Sequence, residues 1–236
     1  MKKIAFLLIA ALFCGTLSVY AQQDDDFFAP PDYRQIQRNI QEVPSSFYYP
    51  RLMSRFEAGD PTMSREEMRH LYFGFVFQPE FVSFDVSQYN RSLADVLRNE
   101  SLSDADIARV SRYAQALLAE DPFNLRALSA LLFVHVHNED MTEYARIAWQ
   151  QHFVQIAIGS TGDGMTPDTP FFVIRTAHQY DMLPFLGFQF SGRSRTFRTG
   201  NIFSRNRQII NVLYVFPNIF GVERMYFNIT PTTRRM

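Results

Sequence analysis

DPFNLRALSALLFVHVHNED, residues 121–140, reads as one helix with both ends marked. Asp121-Pro122 halts the chain before it, because a residue preceding proline is pushed out of the helical region. Asn124 supplies a capping side chain. Leu125, Leu128, Leu131 and Leu132 then recur at helical spacing, and Asn138-Glu139-Asp140 breaks the run. The flanks repeat the pattern. Upstream, Ser103 caps a helix that buries Ile107, Val110, Ala114, Leu117 and Leu118. Downstream, Thr142 starts a third, with Ala145, Ala148, Trp149, His152, Phe153 and Ile156 on its inward stripe. Such antiparallel hairpins resemble a tetratricopeptide unit, and DPFNLRAL is similar to that repeat's junction. No second copy follows at the repeat's period, so the expectation is a helical bundle and not an array.

Further toward the N-terminus, Tyr33–Glu42 reads as a short helix. Pro50 opens another with Leu52, Met53 and Phe56 on one face, and Gly59 ends it. Ser64-Arg65-Glu66-Glu67 is a capping box, followed by Met68, Leu71, Tyr72, Phe75 and Val76 at helical spacing. Toward the C-terminus, Gly159–Thr169 is a dense turn cluster. Pro170 opens a last helix carrying Ile174, Ala177, His178 and Asp181. From Leu183 the apolar period shortens to two, around Phe188 and Phe190, through Gln208–Phe216 and along Glu223–Thr230. The expected fold is α+β: an N-terminal helical bundle followed by a small C-terminal three-stranded antiparallel sheet. It forms a single domain over 45–231, helical over 45–183 and sheet over 184–231. Residues 22–44 form a tether and short helix ahead of it.

Residues 1–21 read as a signal peptide. Lys2 and Lys3 precede an apolar run from Ile4 to Phe13, and Ala21 closes a small-residue cleavage site. The run is shorter than the roughly 20 residues a spanning helix needs. Cleavage after Ala21 leaves no transmembrane anchor and places the protein in the periplasm or outside the cell. It also removes Cys14, the chain's 1 cysteine, so disulfide and thiolate chemistry drop out. Lys2 and Lys3 are the only lysines. The remaining 21 basic residues are all Arg, against 24 acidic ones, a net charge of −3. No nucleic-acid partner is expected.

Four blocks together carry a family likeness: YYPRLMSRFEAGD (48–60), MRHLYFGFVFQPEF (68–81), DPFNLRAL (121–128), and GDGMTPDTPFFVI (162–174) with its downstream YFN (226–228). In that order they resemble an uncharacterised family of secreted bacterial proteins, domain of unknown function 4919. The resemblance implies one domain over most of 45–230 and a secreted location. It carries over no catalytic residue.

No motif compels a reaction. His135 and His137 point to different faces of one helix, and neither HExxH nor a Cys/His cluster is present, so no metal and no cofactor are expected. Gly162, Asp163 and Gly164 suggest either an anion-cradling loop or a connector whose glycines allow a sharp turn. The cradle lacks the preceding strand and the Lys-Ser/Thr ending of a phosphate loop. Asp163, Asp168, Asp181 and Glu80 are the free carboxylates that a hydrolase would draw on. The anomaly is the interval from Asp181 to Glu223. It holds no other acidic residue but does hold Arg193, Arg195, Arg198, Arg205 and Arg207. Arginine pairs bidentately with carboxylate, phosphate and sulfate. The same charges would also keep an exposed hairpin edge from pairing with another chain. The functional expectation is a secreted or periplasmic binding or accessory protein whose Arg-rich hairpin engages an anionic glycan, a lipid headgroup or an acidic protein. An envelope hydrolase with dispersed carboxylates is the alternative.

Overall fold

The computed structural model describes residues 28–82, 87–200 and 207–230. Capping side chains open most of the helices. Asp32 accepts from the amides of Arg34 and Gln35 and starts α1 (Tyr33–Gln41). Pro50 occupies the first turn of α2 (Tyr49–Glu57), where its missing N–H leaves no bond unmade. Ser64 and Glu67 close their capping box reciprocally, at 2.7 and 3.2 Å, and start α3 (Arg65–Gly74). After Gly74 the chain tightens into a 3₁₀ turn, Phe75–Phe77. Ser87 starts α4 (Gln88–Leu97), a helix absent from the sequence reading. Ser103, Asn124 and Asp140 then cap α5 (Asp104–Glu120), α6 (Leu125–His137) and α7 (Met141–Gly159).

These helices share two apolar cores. Leu93, Val96, Ile107, Val110, Ala114, Leu117, Leu128 and Leu131 form one, between α4, α5 and α6. The other joins α1, α2 and α3 to the sheet through rings such as Phe56, Tyr72, Phe73, Phe123 and Phe227. Each such side chain, fully buried, stabilises by about 1.5–3 kcal/mol. Helix α7 serves both cores. Its Ile147 packs in the first, and Phe153, Val154, Ala157 and Ile158 pack in the second. Its buried surface is therefore not the single stripe expected. Ala145, Trp149 and His152 are exposed, and Gln150 is buried instead.

The sheet corrects the expected one. It has four strands, not three, and it is mixed: β1 (Phe171–Phe172), β2 (Phe190–Thr199), β3 (Gln208–Val215) and β4 (Arg224–Asn228), in the order β1-β4-β3-β2. β1 runs parallel to β4, and the other pairs are antiparallel. Pro170 thus opens a strand, and helix α8 (Thr176–Phe185) begins six residues later. Phe171-Phe172-Val173-Ile174 is buried on all sides. A short run of that kind carries no periodicity to separate strand from helix. β1 is tied on both sides: Phe172 N–H donates to Thr161 Oγ1 (2.9 Å) and Val173 N–H to Asn228 O (3.1 Å).

Candidate functional site

Pleating sorts the Arg-rich hairpin into two faces. Arg195 opposes Val212 across the β2–β3 pair, and Val212 opposes Tyr226 across β3–β4. One step along the strands, the Arg193 guanidinium lies 4.7 Å from the centre of the Tyr214 ring, and Tyr214 opposes Arg224. Arg193, Arg195 and Arg224 are exposed, and Tyr214 and Tyr226 are half-buried. Together they place three guanidinium groups and two phenol rings on one face, around a buried Val212. The next row on this face, Phe197, Ile210 and Asn228, is covered, since Ile210 and Asn228 have no exposed surface. The open part of the face therefore lies at the end of the sheet where β3 turns into β4.

The structure does not gather all five predicted arginines. Arg198 opposes Ile209 and belongs to the other face. Arg207 precedes β3 and is half-buried. Arg205 lies outside the described residues. Arg193, Arg195 and Arg198 make no ion pair with a described residue, whereas Arg224 meets Glu223 at 3.6 Å. The additional members, Arg224, Tyr214 and Tyr226, escaped sequence reading because only the strand register brings them beside Arg193 and Arg195. The alternation along each strand was visible, but the pairing between strands was not.

Gly162, Asp163 and Gly164 form a connector. Asp163 Oδ1 accepts from Met165 N–H (2.9 Å) and from the Thr169 hydroxyl (2.6 Å). Gly164 N–H donates to Thr169 O (2.8 Å), so it is not offered to an anion. A Cβ at Gly162 would sit 2.3 Å from Thr169 O. The loop's backbone bonds close on themselves and on β4.

Several other titratable groups are engaged in bonds within the fold. His70 Nδ1 bonds Glu66 O (2.8 Å) as a donor, and Nε2 accepts from Asn39 (3.0 Å), while the ring stacks on Phe47 at 3.9 Å. Burial pushes its pKa below the ordinary histidine value. The Tyr72 hydroxyl, kept neutral by burial, donates to His178 Nδ1 (2.7 Å) and accepts from Ile174 N–H (3.2 Å). Asp181 pairs with Arg126 at 3.2 Å, and Asp163 holds its own loop. A groove of about 310 Å³ between α2, α5, α6 and α7 includes Glu57, His135, Glu143 and Arg146. Arg146 holds Glu143 through two bonds, which lowers that carboxyl's pKa and suits it poorly to donate a proton. Gln150 and Arg146 also cap the last carbonyls of α2, at Phe56 and Glu57. Among the described residues no three His, Cys, Asp or Glu side chains cluster as a metal site, and no helix is long and apolar enough to cross a membrane.

The blocks that carry the family likeness meet in space. Gly164 O accepts from Tyr226 N–H at 2.8 Å, and Phe171 and Phe172 register with Phe227 and Asn228. Arg55 in the first block bonds Asp60 (2.7 Å) and Glu67, just ahead of the second block. Tyr72 in the second reaches Ile174 at the end of the fourth. No curated protein and no solved structure matches the chain. The family model described as domain of unknown function (DUF4919) matches residues 34–236, most of the chain, and the protein belongs to that family.

Proposed function

We propose that the protein is an exported binding or accessory protein that engages an anionic partner through the Arg193–Arg195–Arg224 face. The export signal read in residues 1–21 supports the location. The observation that carries the binding reading is the position of Arg224. Arginines on β2 alone would fit an edge strand guarded against pairing with another chain, and β2 is an edge. Arg224 stands on β4, across Tyr214 from Arg193 and on the far side of β3 from β2, so the cations are not confined to the edge strand β2, although β1 covers β4 only at Phe227 and Asn228. A cation on each side of an aromatic ring suits a ligand with negative charge and some flat or apolar surface. Guanidinium supplies paired donors to phosphate, sulfate or carboxylate, and the phenols supply contact area.

The test is retention on heparin-agarose. The wild type is expected to bind at low salt and elute as salt rises, because exposed charges are screened within about 10 Å at 0.1 M. Arg193→Glu/Arg195→Glu should elute earlier with an unchanged melting temperature. Equal elution of the two proteins would refute this reading.

A further inference from the structure

The turn between β3 and β4, Phe216-Pro217-Asn218-Ile219-Phe220-Gly221, presents the two most exposed large apolar side chains among the described residues, Ile219 at 94% and Phe220 at 66%, beside Phe216 at 49%. Phe185, at the end of α8, is 51% exposed, and Phe220 reaches back over that helix end to meet Phe188 edge-on at 6.1 Å. The turn is built to hold this shape. Asn218 Oδ1 accepts from Phe220 N–H (3.1 Å) and Val222 N–H (3.2 Å). Its Nδ2 donates to Phe216 O (3.0 Å) and Val222 O (2.6 Å). Gly221 takes φ +66° to close it. The apolar tip is therefore a fixed projection. An apolar phase or a matching cavity is required to bury it.

What lies behind the tip selects between these. Tyr214 sits two residues before Phe216, flanked by Arg193 and Arg224, with Arg195 and Tyr226 one row further back. At about 3.3 Å per strand residue, these rows stand within roughly 10–15 Å of the tip. The order from the tip inward is aliphatic and Phe, then Tyr flanked by Arg, then Arg and Tyr. That order matches the depth profile of a bilayer surface, where apolar groups enter by about 5–10 Å, aromatic rings with polar ends sit at the headgroups and basic residues meet lipid phosphate. Glu223 is the one acidic residue at the turn, and Arg224 pairs with it.

We infer that the β3–β4 turn is a membrane-insertion element that docks this end of the sheet onto an anionic lipid bilayer. The inference rests on the basic-face reading above and names its partner. It uses surface insertion only, not a spanning segment.

The experiment is sedimentation with vesicles of phosphatidylcholine alone and of phosphatidylcholine with phosphatidylglycerol, run beside the heparin assay. Wild type should pellet with the anionic vesicles and not with the neutral ones. Ile219→Ser/Phe220→Ser should lose at least about tenfold in vesicle affinity, a change of about 1.4 kcal/mol, because two large apolar side chains no longer leave water. The same variant should keep its heparin elution. Ile219→Asp repeats the test at a side chain with almost no intramolecular contact, so a loss of fold cannot mimic the result, and circular dichroism checks each variant. Heparin binding without vesicle binding overturns the insertion inference and leaves the basic face standing. Vesicle binding unchanged in both tip variants overturns it as well. Binding to neither probe overturns both readings. A wild-type dimer in sedimentation velocity that the tip variants convert to monomer assigns the tip to self-association and overturns the inference.

Discussion

Gly164 and Tyr226 are joined by a 2.8 Å bond from the Tyr226 N–H to the Gly164 carbonyl, which stitches the 162–169 loop to the inner strand β4. Gly164 stands at φ +68°, and a Cβ there would lie 2.5 Å from the Phe171 ring and 2.9 Å from Met225 Cε. Gly164→Ala therefore combines left-handed strain with overpacking, and an expected loss of about 2–4 kcal/mol follows. Gly159 provides the contrast. It ends α7 with open space around its Cα, so Gly159→Ala should be neutral or stabilise by up to about 1 kcal/mol. Urea denaturation of the two variants checks both signs.

Tyr72 is the second joint between helices and sheet. Its hydroxyl satisfies Ile174 N–H on one side and His178 Nδ1 on the other, at a site with essentially no solvent. Tyr72→Phe keeps the ring and its edge contacts with Phe73 and Phe123. It strips both polar groups of this bond, at an expected cost of about 2 kcal/mol or more. A loss below about 0.5 kcal/mol in denaturant unfolding would show that another group replaces the hydroxyl.

His70 sets a pH dependence. Its folded pKa lies below the ordinary 6.5, first because it is buried, with neighbouring Arg69 adding to the effect. The unfolded chain then takes up the proton more readily than the fold. This contribution to stability is complete above about pH 6.5 and declines as pH falls below that value toward the folded pKa. Melting temperature should drop from pH 7 to pH 5, and His70→Gln should flatten the drop. An imidazole that titrates above 6.5 in the folded protein, read by NMR, would contradict the assignment.

A separate acid limb lies lower. Hydrogen bonds from Thr62 and Arg55 hold the Asp60 carboxyl at about 2, and those from Ser103 and Arg109 hold Asp106 at about 2, both against an ordinary 3.8. For depressed carboxyls the stabilisation is present above the unfolded pKa and is lost as pH falls through the folded one. Unfolding should steepen between about pH 4 and pH 2, and Asp60→Asn or Asp106→Asn should each soften that slope. Acid titrations of wild type and variants, followed by circular dichroism, measure it.

Much of this fold was legible because helix ends are local. Ser64, Ser103 and Asn124 each announce a helix within four residues, and the structure starts α3, α5 and α6 there. The switch to period two after Leu183 likewise announced β2, β3 and β4. What stayed hidden depends on contacts distant in sequence. β1 is a strand because β4 lies beside it, not because Phe171-Phe172 has a pattern. α7 packs in two cores, so Trp149 and His152, which looked inward, are exposed. The candidate site divided in the same way. Arg193 and Arg195 shared a face by alternation alone, whereas Arg224 joined them through register, which the Pro217-Asn218 turn sets and no local rule reads.

Arg69 makes the last prediction, because it holds the segment leading into the domain. Its buried guanidinium donates to Ser160 Oγ (2.6 Å), Ser160 O (3.2 Å) and Ala29 O (2.8 Å), and it meets Glu66 at 3.2 Å. Ala29 N–H returns a bond to Ser160 O at 3.0 Å. One side chain thus pins residues 29–30, the end of α7 and α3 together. Desolvation lowers its pKa, yet arginine stays charged, so the fold tolerates the burial only because these oxygens surround it. Arg69→Met keeps the packing volume while deleting every bond. The partners left behind are mainly carbonyls at the edge of the domain, which water reaches once the segment lifts. The expected outcome is therefore local: amide exchange at Ala29 accelerates at least tenfold, while the α5–α6 core amides keep their protection. If those core amides exchange faster by the same factor, Arg69 supports global stability and not the attachment of the leading segment.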